Sequence, residues 1–306
     1  MTGEIEAILI AGPTASGKSK LAAELAERLG GVVVNADSLQ VYDGLKILTA
    51  RPSAADLERV PHRLYGHVDP GSDYSAGAYL RDVAPLLAEL RSSRRLPVFC
   101  GGTGLYFKAL TGLLDPMPEI PQAVRDRLRR RLAEEGAEAL HAELLRRDPP
   151  TAERLAPRDG QRIARALEIL EAGSVPLSAL QAGRGRPLVD RGRARMLVLA
   201  PDRAELRQRI AERFDRMVAG GALDEVKAFE ARFGSVPGTA GRAIGLAELS
   251  AFLKGSLNYE RARELAITRT RQYAKRQETW FRHQLGDEWR RMTAGADFFL
   301  PTRPST

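Results

Sequence analysis

Gly12-Pro13-Thr14-Ala15-Ser16-Gly17-Lys18-Ser19 is the stretch from which the fold is read. It matches G-x-x-x-x-G-K-[ST], the loop whose backbone N–H groups cradle phosphates. Its flanks suit that reading. Ala7-Ile8-Leu9-Ile10-Ala11 before it is a short apolar run with the length of a buried parallel strand. After it, Leu21, Leu25 and Leu29 recur every fourth residue beside Ala22 and Ala26, as on one face of a helix, and Gly30-Gly31 ends the run. A glycine-rich turn that binds nothing is the plainer alternative, but it needs neither the strand nor the helix. Loop amides at a helix N-terminus favour an anion. Lys18 adds a full charge, and the Ser19 hydroxyl suits a magnesium ion. The octet from Gly12 to Ser19 is therefore expected to hold a di- or triphosphate.

The 306 residues allow one large α/β domain or a domain carrying an insertion. No run of about 18 apolar residues is present, so no membrane span is expected. The strand begins too early for a signal peptide. A single cysteine, Cys100, excludes an internal disulfide and a cysteine-rich zinc site. Together these features suggest the cytoplasm. The net charge of +8 suggests a polyanionic partner. Of the basic residues 40 are Arg and 7 are Lys, a skew that GC-rich coding also produces, so the placement of the charge matters more than its sum.

Further strands are expected at Val32-Val33-Val34, running into Asn35-Ala36-Asp37-Ser38, at Leu96 to Cys100, running into Gly101-Gly102-Thr103-Gly104, and at Met196 to Ala200. Helices separate them, notably Ala76 to Arg91 with Ala76, Leu80, Val83 and Leu87 on one face. Alternating strands and helices predict a P-loop NTPase-like parallel sheet flanked by helices, with ligands at the carboxyl ends of the strands. Pro116, Pro118 and Pro121 mark an exit from that sheet. Amphipathic helices follow, with Leu128, Leu132, Leu140 and Leu144 on one face of the stretch from Val124 to Arg146. A polar stretch, Ala182 to Arg195, leads back. The expected organisation is an α/β core of residues 1–114 and 196–306 with a helical insertion domain over 115–195. After residue 201 the chain reads as helical almost throughout, ending in a tail with Pro301 and Pro304.

Asp37 follows a strand expected beside the phosphate-loop strand. Its carboxylate can serve as a general base, bind magnesium through water, or simply cap a helix. The Gly101-Gly102-Thr103-Gly104 turn permits close backbone approach to a ligand, and Thr103 can touch phosphate or metal; a tight strand-to-helix turn needs nothing more. The preceding strand lacks the terminal Asp with which ATPases hold magnesium, which weakens a motor ATPase reading. From Thr270 to Arg282, Arg271, Lys275 and Arg282 form a basic stripe beside Tyr273, Gln277 and Trp280. Basic groups beside aromatics suit a nucleic-acid backbone with unstacked bases, or a surface helix whose aromatic side lies in a core. In the insertion Gln161, Arg165 and Glu168 share a face opposite Ile163, Leu167 and Leu170, either to read an RNA loop or to be solvated.

Taken together these motifs resemble the tRNA dimethylallyltransferase family. The resemblance rests on the octet, then Asp37-Ser38-Leu39-Gln40-Val41-Tyr42, Val60-Pro61-His62, Asp69-Pro70, Tyr74-Ser75 and Gly101-Gly102-Thr103-Gly104-Leu105-Tyr106. It continues through Gln161-Arg162, Arg165-Ala166-Leu167-Glu168, Ala243-Ile244-Gly245 and Thr270-Arg271-Gln272-Tyr273-Ala274-Lys275-Arg276-Gln277, in family order over nearly the whole chain.

The resemblance implies transfer of a dimethylallyl group from dimethylallyl diphosphate to the exocyclic amine of the adenosine 3′ of a tRNA anticodon. The octet Gly12, Pro13, Thr14, Ala15, Ser16, Gly17, Lys18 and Ser19 then holds the leaving pyrophosphate. Asp37 is the implied base; Lys18, Arg213 and Thr103 are implied catalytic contacts, and Ser19 and Thr103 implied ligands of Mg2+. Implied contacts to the tRNA anticodon stem-loop are Asp37, Ser38, Leu39, Gln40, Thr103, Arg125, Gln161, Arg162, Ile163, Ala164, Arg165, Arg242, Lys275, Arg276, Trp280 and Arg282. Neither a membrane nor a protein partner is implied. The chain departs from the family pattern at Leu48, at Asp43 and at Leu246, where Gly, a basic residue and Tyr are usual. A small-molecule P-loop kinase and an RNA-binding protein without catalysis are the competing readings; the ordered motifs favour the transferase.

Overall fold

The protein is described by a computed structural model over residues 5–115, 117–173, 175–180 and 185–293. Pro116, the first residues of the Ala182 to Arg195 stretch, and the tail with Pro301 and Pro304 lie outside the described residues. The chain forms two compact units, Met1–Thr111 with Leu188–Thr306, and Gly112–Pro187.

Among the described residues the first unit is built on six strands: β1 (Ala7–Ala11), β2 (Val32–Asn35), β3 (His62–Arg63), β4 (Pro97–Gly101), β5 (Ala194–Leu199) and β6 (Arg290–Met292). All neighbours pair in parallel, in the order β3-β2-β4-β1-β5-β6. The phosphate-loop strand is thus central, between β4 and β5. Successive side chains of a strand point to opposite faces. Accordingly Ala7, Leu9 and Ala11 enter one core and Ile8 and Ile10 the other. Both faces need cover, which is why β1 is apolar throughout. Helices α1 (Lys18–Leu29), α2 (Ala54–Arg59), α3 (Ala76–Ser92) and α4 (Gly104–Leu110) belong to this unit. α1 buries Ala22, Leu25 and Ala26 on the Ile8 side; α3 buries Val83 and Leu87 on the Leu9 side.

The second unit contains α5 (Gln122–Glu135), α6 (Ala137–Arg147), α7 (Pro149–Ala152), α8 (Gly160–Gly173) and α9 (Leu177–Leu180). The stretch from Val124 to Arg146 is two helices rather than one, broken at Gly136 with φ +83°. Leu128, Leu140 and Leu144 nevertheless meet Ile163 and Leu167 in one core. Twelve acidic and thirteen basic side chains fall between Gly112 and Pro187, so the first unit carries almost all of the +8.

The chain then supplies α10 (Arg203–Ala219), α11 (Ala222–Phe233), α12 (Leu246–Leu253) and α13 (Tyr259–Gln284) to the first unit. The expectation of helix almost to the end misses β6. Of its Arg-Arg-Met only Met292 is buried, so an edge strand formed by backbone pairing to β5 leaves no apolar run to read.

Candidate active site

At the end of β1 the backbone turns sharply beneath the loop. A Cβ on Gly12 would lie 2.8 Å from the Ser16 hydroxyl and 3.2 Å from Leu199 Cβ. Ala15 and Gly17 both adopt left-handed backbone, at φ 62° and 90°. Gly17 then stands at the N-cap of α1 with no side chain to cap it. The first-turn N–H groups of α1 therefore line the cleft unpaired by any cap, an arrangement that binds anions. Two N–H groups of the octet are already engaged: Thr14 donates to Gln277 Oε1 at 2.9 Å and Ser16 to the Pro13 carbonyl at 3.2 Å.

The turn after β2 is held from beneath by Asn35, which is fully buried. Its Oδ1 accepts from Asp37 N at 2.9 Å, and its Nδ2 donates to the carbonyls of Asp37 at 3.1 Å and Leu64 at 2.9 Å. Asp37 Oδ1 accepts from Leu39 N at 3.0 Å, closing a short turn. No helix begins there, so the capping alternative does not apply. Thr103 holds the N-cap position of α4 without capping it. Its hydroxyl instead accepts from Ser38 N at 2.8 Å and donates to Ser38 Oγ at 3.1 Å. Both loops are thereby tied together through the Thr103 hydroxyl.

The phosphate loop, Asp37, Leu39, Gln40, Arg213 and Tyr273 all line one cleft of about 1360 Å³. Lys18 is only 9% exposed and donates to the Pro13 carbonyl at 3.2 Å. Burial lowers its pKa; Cys100 and Asp37 push the other way, and Arg213 lowers it further. Burial likewise works against the charge of Arg213, which Asp37 favours. The Cys100 thiol is pushed up to about 11 by burial and stays neutral. Two cations therefore face one carboxylate where water is scarce, and a bound anion would relieve that imbalance. A lysine lowered in the free protein regains its proton when a diphosphate arrives. Binding of a diphosphate at pH above the lowered value is therefore expected to take up protons, an uptake that fades as pH falls through that value. Calorimetry in two buffers of different ionisation enthalpy measures it, and zero uptake across that range would contradict the assignment.

The remaining expected residues separate by burial. Lys275, Arg276, Arg282 and Arg242 are exposed, and Trp280 is half-buried over Gly104, where a Cβ would overlap its ring. Gln40 is engaged internally, its Nε2 donating at 2.8 Å to the carbonyls of both Thr49 and Ala50. In the second unit Gln161 and Arg162 are exposed, Arg165 and Arg125 partly so. Ile163 lies in the core of that unit and Ala164 is buried, so a contact from either to RNA falls to the backbone rather than the side chain. Glu168 is buried too, accepting from Arg165 at 3.2 Å, so it belongs to neither a recognition face nor a solvated one. Among the departures, Asp43 pairs with Arg51 and Arg232, and Leu48 and Leu246 are buried beside Phe214. Sequence reasoning missed Asn35 and the dual role of Gln277; a polar residue adjoining each motif was the only signal.

The donor set fits a magnesium ion shared with a diphosphate in one respect. Ser19 is an exposed hydroxyl residue on the cleft wall at the start of α1, beside Cys100. Among the described residues no group of three or more His, Cys, Asp and Glu side chains gathers to hold a metal by itself.

The sequence model of the IPP transferase family matches residues 40–284, and that of isopentenyl transferase matches residues 5–69. The chain is 57% identical to a tRNA dimethylallyltransferase of Mesorhizobium japonicum, over 95% of this chain and 90% of that protein. It is 54% identical to one of Sinorhizobium medicae, over 95% of each. Among solved structures it resembles the tRNA isopentenylpyrophosphate transferase of Bacillus halodurans, with TM-score 0.66 and 33% identity, covering 95% of this chain and 90% of that one. A eukaryotic dimethylallyltransferase acting on tRNA aligns with TM-score 0.77 and 28% identity, covering 90% and 69%.

Proposed function

The chain belongs to the IPP transferase family, and from that membership and the cleft just described we infer how it works as a tRNA dimethylallyltransferase. It transfers a dimethylallyl group to the N6 amine of an adenosine in tRNA and releases pyrophosphate. We assign the donor as dimethylallyl diphosphate and the acceptor as the adenosine 3′-adjacent to the anticodon. The observation that supports this assignment is a carboxylate, Asp37, in the same cleft as the phosphate loop, the buried Lys18 and the half-buried Arg213.

An adenine amine is a poor nucleophile because its lone pair is delocalised into the ring. As nitrogen bonds to the allylic carbon, Asp37 takes the amine proton. The allylic C–O bond breaks, and its electrons leave with the diphosphate. Lys18, Arg213 and the α1 amides meet that growing charge without having to reorganise. Ser19 would hold a magnesium ion, which would add further charge neutralisation. The target base must leave its stack to enter such a cleft.

We assign the anticodon stem-loop to exposed basic groups on each unit. On α13 the early arginines are paired, Arg263 with Asp215 and Arg269 with Glu248. Arg271, Lys275 and Arg282 have no ion pair among the described residues. Gln161, Arg162 and Arg165 on α8 supply contacts from the second unit. Lys275→Ala or Arg282→Ala is expected to weaken tRNA binding and reduce its salt slope by about 1 each. Unchanged slopes in filter-binding titrations would remove α13 from the interface.

The deciding experiment incubates the protein with labelled dimethylallyl diphosphate and unmodified tRNA, then digests the RNA. Label is expected on N6 of one adenosine. Phosphate transfer from ATP with no isoprenoid incorporation would overturn the reading.

A further inference from the structure

Gln277 lies on the inner side of α13 and is 5% exposed. Its two amide ends serve different loops. Oε1 accepts from Thr14 N in the phosphate loop, and Nε2 donates to the Gly102 carbonyl in the turn after β4, each at 2.9 Å. One side chain supplies both the donor and the acceptor at that reach, as a glutamine amide can. Gly102 is squeezed from two directions: a Cβ there would overlap Gln277 Nε2 and lie 3.1 Å from Asp37 Oδ2. The next residue, Thr103, is tied to Ser38. A continuous set of hydrogen bonds therefore runs from the phosphate loop through Gln277 to the turn that carries Asp37.

We propose that Gln277 is a positioning residue that sets the phosphate loop against the Asp37 turn, and is not an RNA contact although it sits between RNA-facing residues of α13. This rests on the transfer reaction assigned above. In a displacement the leaving group and the entering amine lie on opposite sides of one carbon, so the spacing of their two binding elements governs the rate. A misplacement of about 1 Å costs on the order of a hundredfold. Lys275 and Arg276, immediately before Gln277, are exposed, so the same helix presents charge outward and this amide inward.

Two variants test it. Gln277→Met keeps the length and removes both hydrogen bonds; Gln277→Glu keeps the acceptor for Thr14 but cannot donate to Gly102. In single-turnover assays at saturating tRNA and dimethylallyl diphosphate, each folded variant is expected to lose about a hundredfold in rate. Affinity for tRNA should stay within about threefold, the reverse of a lost RNA contact, whose main effect is on affinity. A saturated rate within about threefold of wild type in either folded variant overturns the proposal. So does a rate loss that raising tRNA restores, because that is the signature of an RNA contact. If the wild-type protein itself transfers no dimethylallyl group, the reaction assignment fails, an outcome distinct from active wild type with undamaged variants.

Discussion

Asp37→Ala is expected to lower the saturated rate of dimethylallyl transfer by about 10²–10⁴-fold, the range typical of a lost general base. Affinity for tRNA should stay within a few-fold. The carboxylate has two jobs that can be separated. Oδ1 accepts from Leu39 N, which shapes the turn, while Oδ2 lies beside Gly102. Asp37→Asn keeps an oxygen for Leu39 but cannot take a proton, so it should preserve the turn and still lose the rate. The backbone at this point is secured independently by Asn35, whose side chain bonds both the N–H and the carbonyl of Asp37. Neither variant is therefore expected to unfold the turn. Single-turnover rates measured with labelled donor decide the matter. An Asn variant retaining more than about a tenth of the rate would remove Asp37 as the base.

The second large effect is on folding. Gly101→Ala is expected to destabilise the protein by about 3 kcal/mol or more, at the upper end for overpacking. Gly101 ends β4 at the point where the chain crosses Ala36, and a Cβ there would overlap the Ala36 carbonyl oxygen and carbon. Those are backbone atoms, so no side chain can rotate away. The same peptide accepts from Thr103 N at 3.2 Å, while Ala36 N donates to the Cys100 carbonyl at 2.9 Å. Making room for a methyl group would break the β2–β4 pairing one residue before Asp37. A fall in the melting midpoint of about 6 °C or more should follow, with transfer activity lost alongside. Thermal unfolding followed by circular dichroism measures it, and an unchanged midpoint would show that the strands separate more easily than their pairing implies.

The parallel sheet was legible because β1, β2, β4 and β5 are short apolar runs, each ending in a polar or glycine-rich turn. The edge strands β3 and β6 were not, because pairing on one side asks little of their side chains. Leu128, Leu140 and Leu144 were correctly placed on an apolar face, yet the break at Gly136 inside that pattern was missed. Periodicity survives a change of direction when both helices pack on the same core.

What the sequence determined unaided was the chemistry carried by contiguous residues. An octet that cradles phosphate, an aspartate after a strand and a basic-aromatic helix keep their meaning wherever the chain runs, because their donors and charges are local. Tertiary structure alone decided which side chains are exposed and which loops meet. It buried Ile163, Ala164 and Glu168, gave the Thr103 hydroxyl to Ser38, and turned Gln277 inward. The physical reason is distance along the chain. Gln277 bonds Thr14 across 263 positions, and a contact of that kind exists only after the sheet and its covering helices have packed.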